Sequence, residues 1–150
     1  MRSVIASTVL ACLAMVATAI VQPADAAENK SHRLAIQVSD NNPAKMNEAL
    51  NLAATVSQNY AEMGHEVEIE IVTFAGGLHM LRADTSPVVA RLKSFRESMS
   101  NVSFVACSST QKIMQKNEGK DVPIVDGAKH LPGVIRLIEL NEQGWTIVRP

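Results

Sequence analysis

Cysteine is nearly absent from this chain: Cys12 and Cys107 are the only two in 150 residues, and no CxxC pair occurs. A self-contained dithiol redox cycle is therefore excluded. Aromatic residues are equally sparse, with one Trp, one Tyr and three Phe, too few to build a platform on which bases stack. Basic runs are missing as well. Lys and Arg number 14 against 15 Asp and Glu, for a net charge of −1, whereas phosphate-backbone binding needs clustered cations. Nucleic acid is not an expected partner. Glycine motifs are reduced to "AGG" at 75–77, with no Walker loop and no GxGxxG. Without GxSxG, Ser108 and Ser109 do not sit on a nucleophile elbow. The four histidines, His32, His65, His79 and His130, have no i, i+4 pairing and no neighbouring cysteine pair. No metal site and no organic cofactor are expected.

One long apolar run is present, "VIASTVLACLAMVATAIV" at 4–21. Arg2 precedes it, Pro23 breaks it, and "ADA" at 24–26 is a small-x-small cleavage site. This layout predicts a secretory signal peptide over residues 1–26, cut after Ala26, and a periplasmic or secreted protein with no membrane attachment after cleavage. The alternatives are a retained anchor, since the run is about long enough to span a bilayer, and lipoprotein processing at Cys12. A lipoprotein cut would leave the apolar stretch up to Val21 on the mature chain. With residues 1–26 removed, Cys107 stands alone. In an oxidising compartment it must be buried and inert, paired between chains, or chemically useful.

The remainder fits one domain, residues 33–150, behind a loose polar N-terminus at 27–32. "RLAIQVS" (33–39) alternates at period two and predicts a strand. Asn42 and Pro43 open a helix whose apolar stripe runs Met46, Ala49, Leu50, Ala53, Val56, Ala61, Met63, with Gly64 as its stop. "HEVEIEIVTF" (65–74) alternates Glu66, Glu68 and Glu70 against Val67, Ile69 and Ile71. Its acidic face is expected in solvent, on an edge or on a face not fully covered by helices. A long connection, "AGGLHMLRADTS", leads to a helix over 86–99 with Ser86 as cap and Pro87 first. "VSFVAC" (102–107) reads as a central strand, 108–119 as a short helix stopped by Gly119, and Pro123–Val125 as at most a short strand. Residues 134–144 are expected to be helical and "WTIVR" to close as a strand. Alternating strands and helices predict a mostly parallel sheet with helices on both faces.

In such sheets ligands sit beyond the carboxyl ends of the strands. Candidate residues there are Asp40, Asn41 and Asn42 after the first strand, Gly76, Gly77, His79 and Arg82 after the second, and Cys107, Ser108 and Ser109 after the third. Cys107 precedes a helix, whose unpaired N–H groups stabilise a thiolate. A buried, inert cysteine is the competing reading. For "FAGGLHMLRAD" the glycines allow close backbone approach to a ligand, His79 could act as a base and Arg82 could hold an anion. The alternative is a turn followed by packing of Leu78 and Leu81. Asp40 and the asparagines suit helix capping better than catalysis. His32 and His65 are expected at the surface near strand starts, and His130 in the loop before the last helix.

The segments "RLAIQVSDNNPAKMNEALNLA", "FAGGLHMLRAD", "VSFVACSSTQK" and "GVIRLIELNEQGWTIVRP" together resemble the DsrE/DsrF-like family, in particular its exported single-domain branch. The resemblance spans nearly all of residues 33–150. It implies a three-layer α/β/α sandwich around a mainly parallel five-stranded sheet, and homo-oligomers, commonly trimers or hexamers. It also implies sulfur carriage as a persulfide on the cysteine matching Cys107, with a sulfur donor or acceptor protein as partner. Family relay subunits place that cysteine slightly earlier, with an alanine-rich, arginine-containing continuation; here "SST" follows it. Two functions stand side by side at this point: a sulfur carrier, and a small-ligand-binding or oligomeric assembly domain in which Cys107 is structural.

Overall fold

A computed structural model describes residues 32–150. The expected signal peptide, with Cys12, and residues 27–31 lie outside the described residues. His32, expected in the loose N-terminus, instead opens the first strand, where its N–H donates to Glu66 O at 3.2 Å.

The strands are β1 His32–Val38, β2 Val67–Thr73, β3 Val102–Cys107, β4 Lys129–Leu131 and β5 Thr146–Val148. The helices are α1 Pro43–Glu62, α2 Val89–Ser98, α3 Ser108–Glu118 and α4 Gly133–Glu142, with a 3-10 helix at Ala75–Leu81. All pairings are parallel, in the order β4-β3-β2-β1-β5. The three-layer α/β sandwich expected from the sequence is the fold observed.

Period-two alternation divides the core in two. Leu34, Ile36 and Val38 of β1, Ile69 and Ile71 of β2, and Phe104 and Ala106 of β3 meet Met46, Ala49, Leu50 and Ala53 of α1 and Leu92 and Phe95 of α2. The opposite face is thinner: Ala35, Val72 and Val105 pack on Leu137 and Leu140 of α4 and on Trp145. Each large apolar side chain removed from water here contributes about 1.5–3 kcal/mol.

Local signals act largely as read. Asn42 Oδ1 accepts the Ala44 N–H at 2.8 Å, with Pro43 at the first helical position. Gly64 takes a φ of +74° as the chain leaves α1. The α1 stripe, however, stops a turn early: Ala61 and Met63 are exposed. Ser86 accepts the Val88 N–H at 3.2 Å, and α2 starts later than expected, at Val89.

Two expectations are corrected. The first is the place of β2, which is the central strand, not an edge. Glu66 and Glu68 are exposed, but Glu70 is fully buried, because α4 crosses that face and brings Arg136 onto its carboxylate. The second is the fourth strand, which forms at Lys129–Leu131 rather than Pro123–Val125. Ile124 makes a single antiparallel bridge with Arg82, and the ladder on β3 is completed by the less apolar "KHL". The glycine-bearing connection after β2 follows the expected alternative of a turn with Leu78 and Leu81 packed: it folds as a buried 3-10 helix and places Leu78, Met80 and Leu81 in the core.

Candidate functional site

Cys107 is the last residue of β3 and the N-cap of α3. Strand and helix meet there without a connecting loop, so the α3 N-terminus rises directly from the sheet edge. The β4–α4 junction lies beside it. Leu131 pairs with Cys107 in the ladder, and two residues later Gly133 opens α4. The Gly133 N–H donates to Cys107 Sγ at 3.3 Å. The sulfur therefore lies where the first turns of two helices converge, and both present unpaired amides and partial positive charge.

Burial alone pushes the Cys107 thiol up, but the Thr110 hydroxyl, followed by the Thr110, Gly133 and Ser109 amides, holds it below its ordinary value of 9.0. Thr110 is oriented for this role. Its Oγ1 accepts the Ala75 N–H at 3.1 Å, which leaves the hydroxyl proton free to point at the sulfur. Ala75 adopts φ +47°, a left-handed conformation that alanine rarely takes. Such strain is retained where the surroundings enforce it.

The site is closed. Cys107 is 5% exposed. A Cβ built on Gly133 would lie 3.1 Å from Cys107 Cβ, 3.2 Å from Phe74 Cβ and 3.4 Å from Sγ. Only a glycine lets the α4 backbone come so near.

The other candidates are placed differently. Gly77 faces the end of β1, where an added Cβ would lie 2.1 Å from Val38 O, and Gly76 faces Asn41 N, where it would lie 2.9 Å away. The β1–α1 turn fills the space a ligand would occupy, and both glycines serve backbone packing. Asn41 is exposed and contributes its backbone to that contact. Arg82 does not face the sulfur. It is 5% exposed and forks onto Asp84, with Nε 2.9 Å from Oδ1 and Nη2 2.8 Å from Oδ2. It also pairs with Glu118 at the far end of α3, about 15 Å of helix from Cys107. His79 is half-buried in the 3-10 helix, and no hydrogen bond joins it to Cys107 among the described residues. Ser108 is half-buried at the first position of α3, but the sulfur's partners are Thr110, Gly133 and Ser109. Asp40 pairs with Lys45 at 2.7 Å and Arg149 at 3.3 Å, a structural tie. His130 lies within β4, not in a loop, with Nδ1 3.1 Å from Gln111 Oε1.

The residues missed by sequence reading are Thr110, Gly133 and Ala75. "SST" offered three hydroxyls without distinguishing them, and nothing local links position 133 to position 107.

Two clefts open at the opposite, amino edge of the sheet. One, of about 800 Å³, is lined by Ser57, His65, Glu66, Glu68, Asn101 and Lys129. The other, of about 200 Å³, lies by His32, Val56, Tyr60 and Thr146. His32, expected at the surface, is half-buried and stacked on Tyr60 at 4.1 Å, and His65, exposed as expected, stands edge-on to it at 5.4 Å. Among the described residues no group of three or more His, Cys, Asp or Glu converges on a metal site, and no helix is long and apolar enough to cross a membrane.

No protein-family model and no curated protein matches this chain. Among solved structures it is similar to a protein of unknown function, MTH1491, from Methanobacterium thermoautotrophicum, with a TM-score of 0.67 and 20% identity. The match covers 80% of this chain and 100% of that one. At that identity the likeness establishes a shared fold.

Proposed function

We propose that this protein is an exported, DsrE/DsrF-like sulfur carrier in which Cys107 holds one sulfane sulfur as a persulfide. The observation that supports this most directly is the convergence of the α3 and α4 first turns on Sγ, with the Gly133 N–H at 3.3 Å. A thiolate is the nucleophilic form, and that cradle stabilises it. In loading, the Cys107 thiolate attacks the outer sulfur of a persulfide or polysulfide, R–S–SH. The Sγ–S bond forms, the S–S bond of the donor breaks, and RS⁻ leaves with the electron pair. In delivery, an acceptor thiolate attacks the outer sulfur and Cys107 departs as a thiolate. A low-pKa thiol leaves faster, so the same cradle assists delivery. Neither step needs a metal or an organic cofactor. Because Cys107 is 5% exposed, the donor that fits is a small inorganic polysulfide or low-molecular-weight persulfide. Self-association into a trimer or hexamer, and a protein acceptor, belong to this reading through the family resemblance.

Intact mass before and after incubation with polysulfide tests it. A gain of one sulfur atom, removed by reductant and absent in Cys107→Ser, is the expected result. No gain in the folded wild-type protein would overturn it.

The burial of Cys107 favours a second reading, in which the thiol is core and the chain is a small-ligand-binding or assembly domain. A thiol that alkylates only after unfolding would establish that reading instead.

A further inference from the structure

The central strand buries a carboxylate. Glu70 is 0% exposed in the middle of β2, on the face turned toward α4. A buried charge is costly unless it is paired, and apolar side chains of similar size often serve stability as well or better. Two cations meet this one. Arg136 forks onto it, with Nε 2.6 Å from Oε1 and Nη2 3.1 Å from Oε2, and Lys129 Nζ stands 3.1 Å from Oε2. The other charges on this face are Glu139, which accepts from Arg136 Nη1 at 3.4 Å, Glu68, two residues back on β2, and Arg33 of β1, which is the register partner of Glu68 and lies over Trp145. From the flanking strands the register partners are the uncharged Ala35 and Ser103.

The placement of the two cations is informative. Lys129 opens β4 and Arg136 lies in the first turn of α4, its own N–H donating to Pro132 O at 2.9 Å. Between them runs Leu131–Pro132–Gly133, the strap that closes over Cys107. A single carboxylate therefore holds both ends of that strap. The apolar contacts of Leu137 and Leu140 keep α4 on the sheet, but apolar packing is non-directional and does not fix the helix along its own axis. A bidentate fork does. A slip of about 1 Å would carry the 3.3 Å contact from Gly133 to the sulfur out of useful range.

We propose that Glu70, acting through Arg136 and Lys129, is a positioning residue that sets the reactivity of Cys107 by holding the Gly133 amide on its sulfur. This rests on the reading of Cys107 as a working thiol.

The test is the rate of Cys107 alkylation by iodoacetamide as a function of pH, on wild type, Glu70→Gln, Arg136→Met and, as control, Arg82→Met. The control breaks a buried arginine cluster remote from the sulfur. Circular dichroism establishes that each variant is folded. In Glu70→Gln and Arg136→Met the titration midpoint rises, so the rate at neutral pH falls by about tenfold for the loss of one charge-assisted bond. Their plateau rate at high pH rises as the strap loosens. Arg82→Met keeps the wild-type midpoint. If Glu70→Gln does not fold, Arg136→Met, altering a partly solvated side chain, gives the same readout. An unmoved midpoint in a folded clamp variant, or an equal shift in Arg82→Met, overturns the inference. Sulfur loading is scored separately. A clamp-dependent midpoint in a protein that takes no sulfur would sink the carrier reading and leave the clamp. Sulfur loading with a clamp-independent midpoint would do the reverse.

Discussion

Gly133 donates its backbone N–H to Cys107 Sγ across 3.3 Å, although 26 residues separate them in the chain. The contact depends on the missing Cβ, which would crowd both Cys107 and Phe74. Gly133→Ala is expected to destabilise the fold by about 1–3 kcal/mol through overpacking. It should also raise the thiol midpoint as α4 is pushed off the sulfur. Urea unfolding and pH-dependent alkylation measure the two effects.

Thr110→Val keeps the shape of the side chain and removes the hydroxyl. The sulfur loses a donor, and the Ala75 N–H loses its acceptor. A loss of about 1 kcal/mol in stability is expected from the abandoned backbone group. The alkylation midpoint should move upward, and Thr110→Ser should restore it. A valine variant with the wild-type midpoint would remove Thr110 from the site.

Stability should depend on pH on both sides of neutrality. Burial pushes Glu70 up, but hydrogen bonds from Arg136 and Lys129 hold it below its ordinary 4.5. The unfolded chain therefore takes up the proton first as pH falls. The contribution of Glu70 is complete above about pH 4.5 and is lost below it. Glu70→Gln should flatten the acid limb of a plot of Tm against pH. Cys107 follows the same rule near its own ordinary value of 9.0, since its folded form is also depressed. Wild type should gain stability relative to Cys107→Ser as pH rises toward about 9, and the gain should fade as pH falls. A pH-independent difference between the two would show that folding does not depress the thiol.

Much of the architecture was legible in the residues alone because its causes are local. Alternation in "RLAIQVS" and "VSFVAC" sets which side chains face which layer, and Asn42–Pro43 and Gly119 mark where helices begin and end. The junction at Cys107 was legible for the same reason: an apolar run followed at once by hydroxyl residues turns strand into helix. What only the tertiary structure decided are relations between segments far apart in the chain. Glu70 belongs to an alternating acidic row, and its burial follows from α4 crossing β2. Arg82 was weighed as an anion holder, but Asp84, two residues on, and Glu118, at the end of α3, neutralise it. The glycines at 76 and 77 signalled close approach correctly, yet the approaching group is the backbone of β1 and its turn. The sulfur's surroundings combine residues 75, 107, 110 and 133. Their meeting depends on sheet order and helix placement, which long-range packing sets and no local pattern encodes.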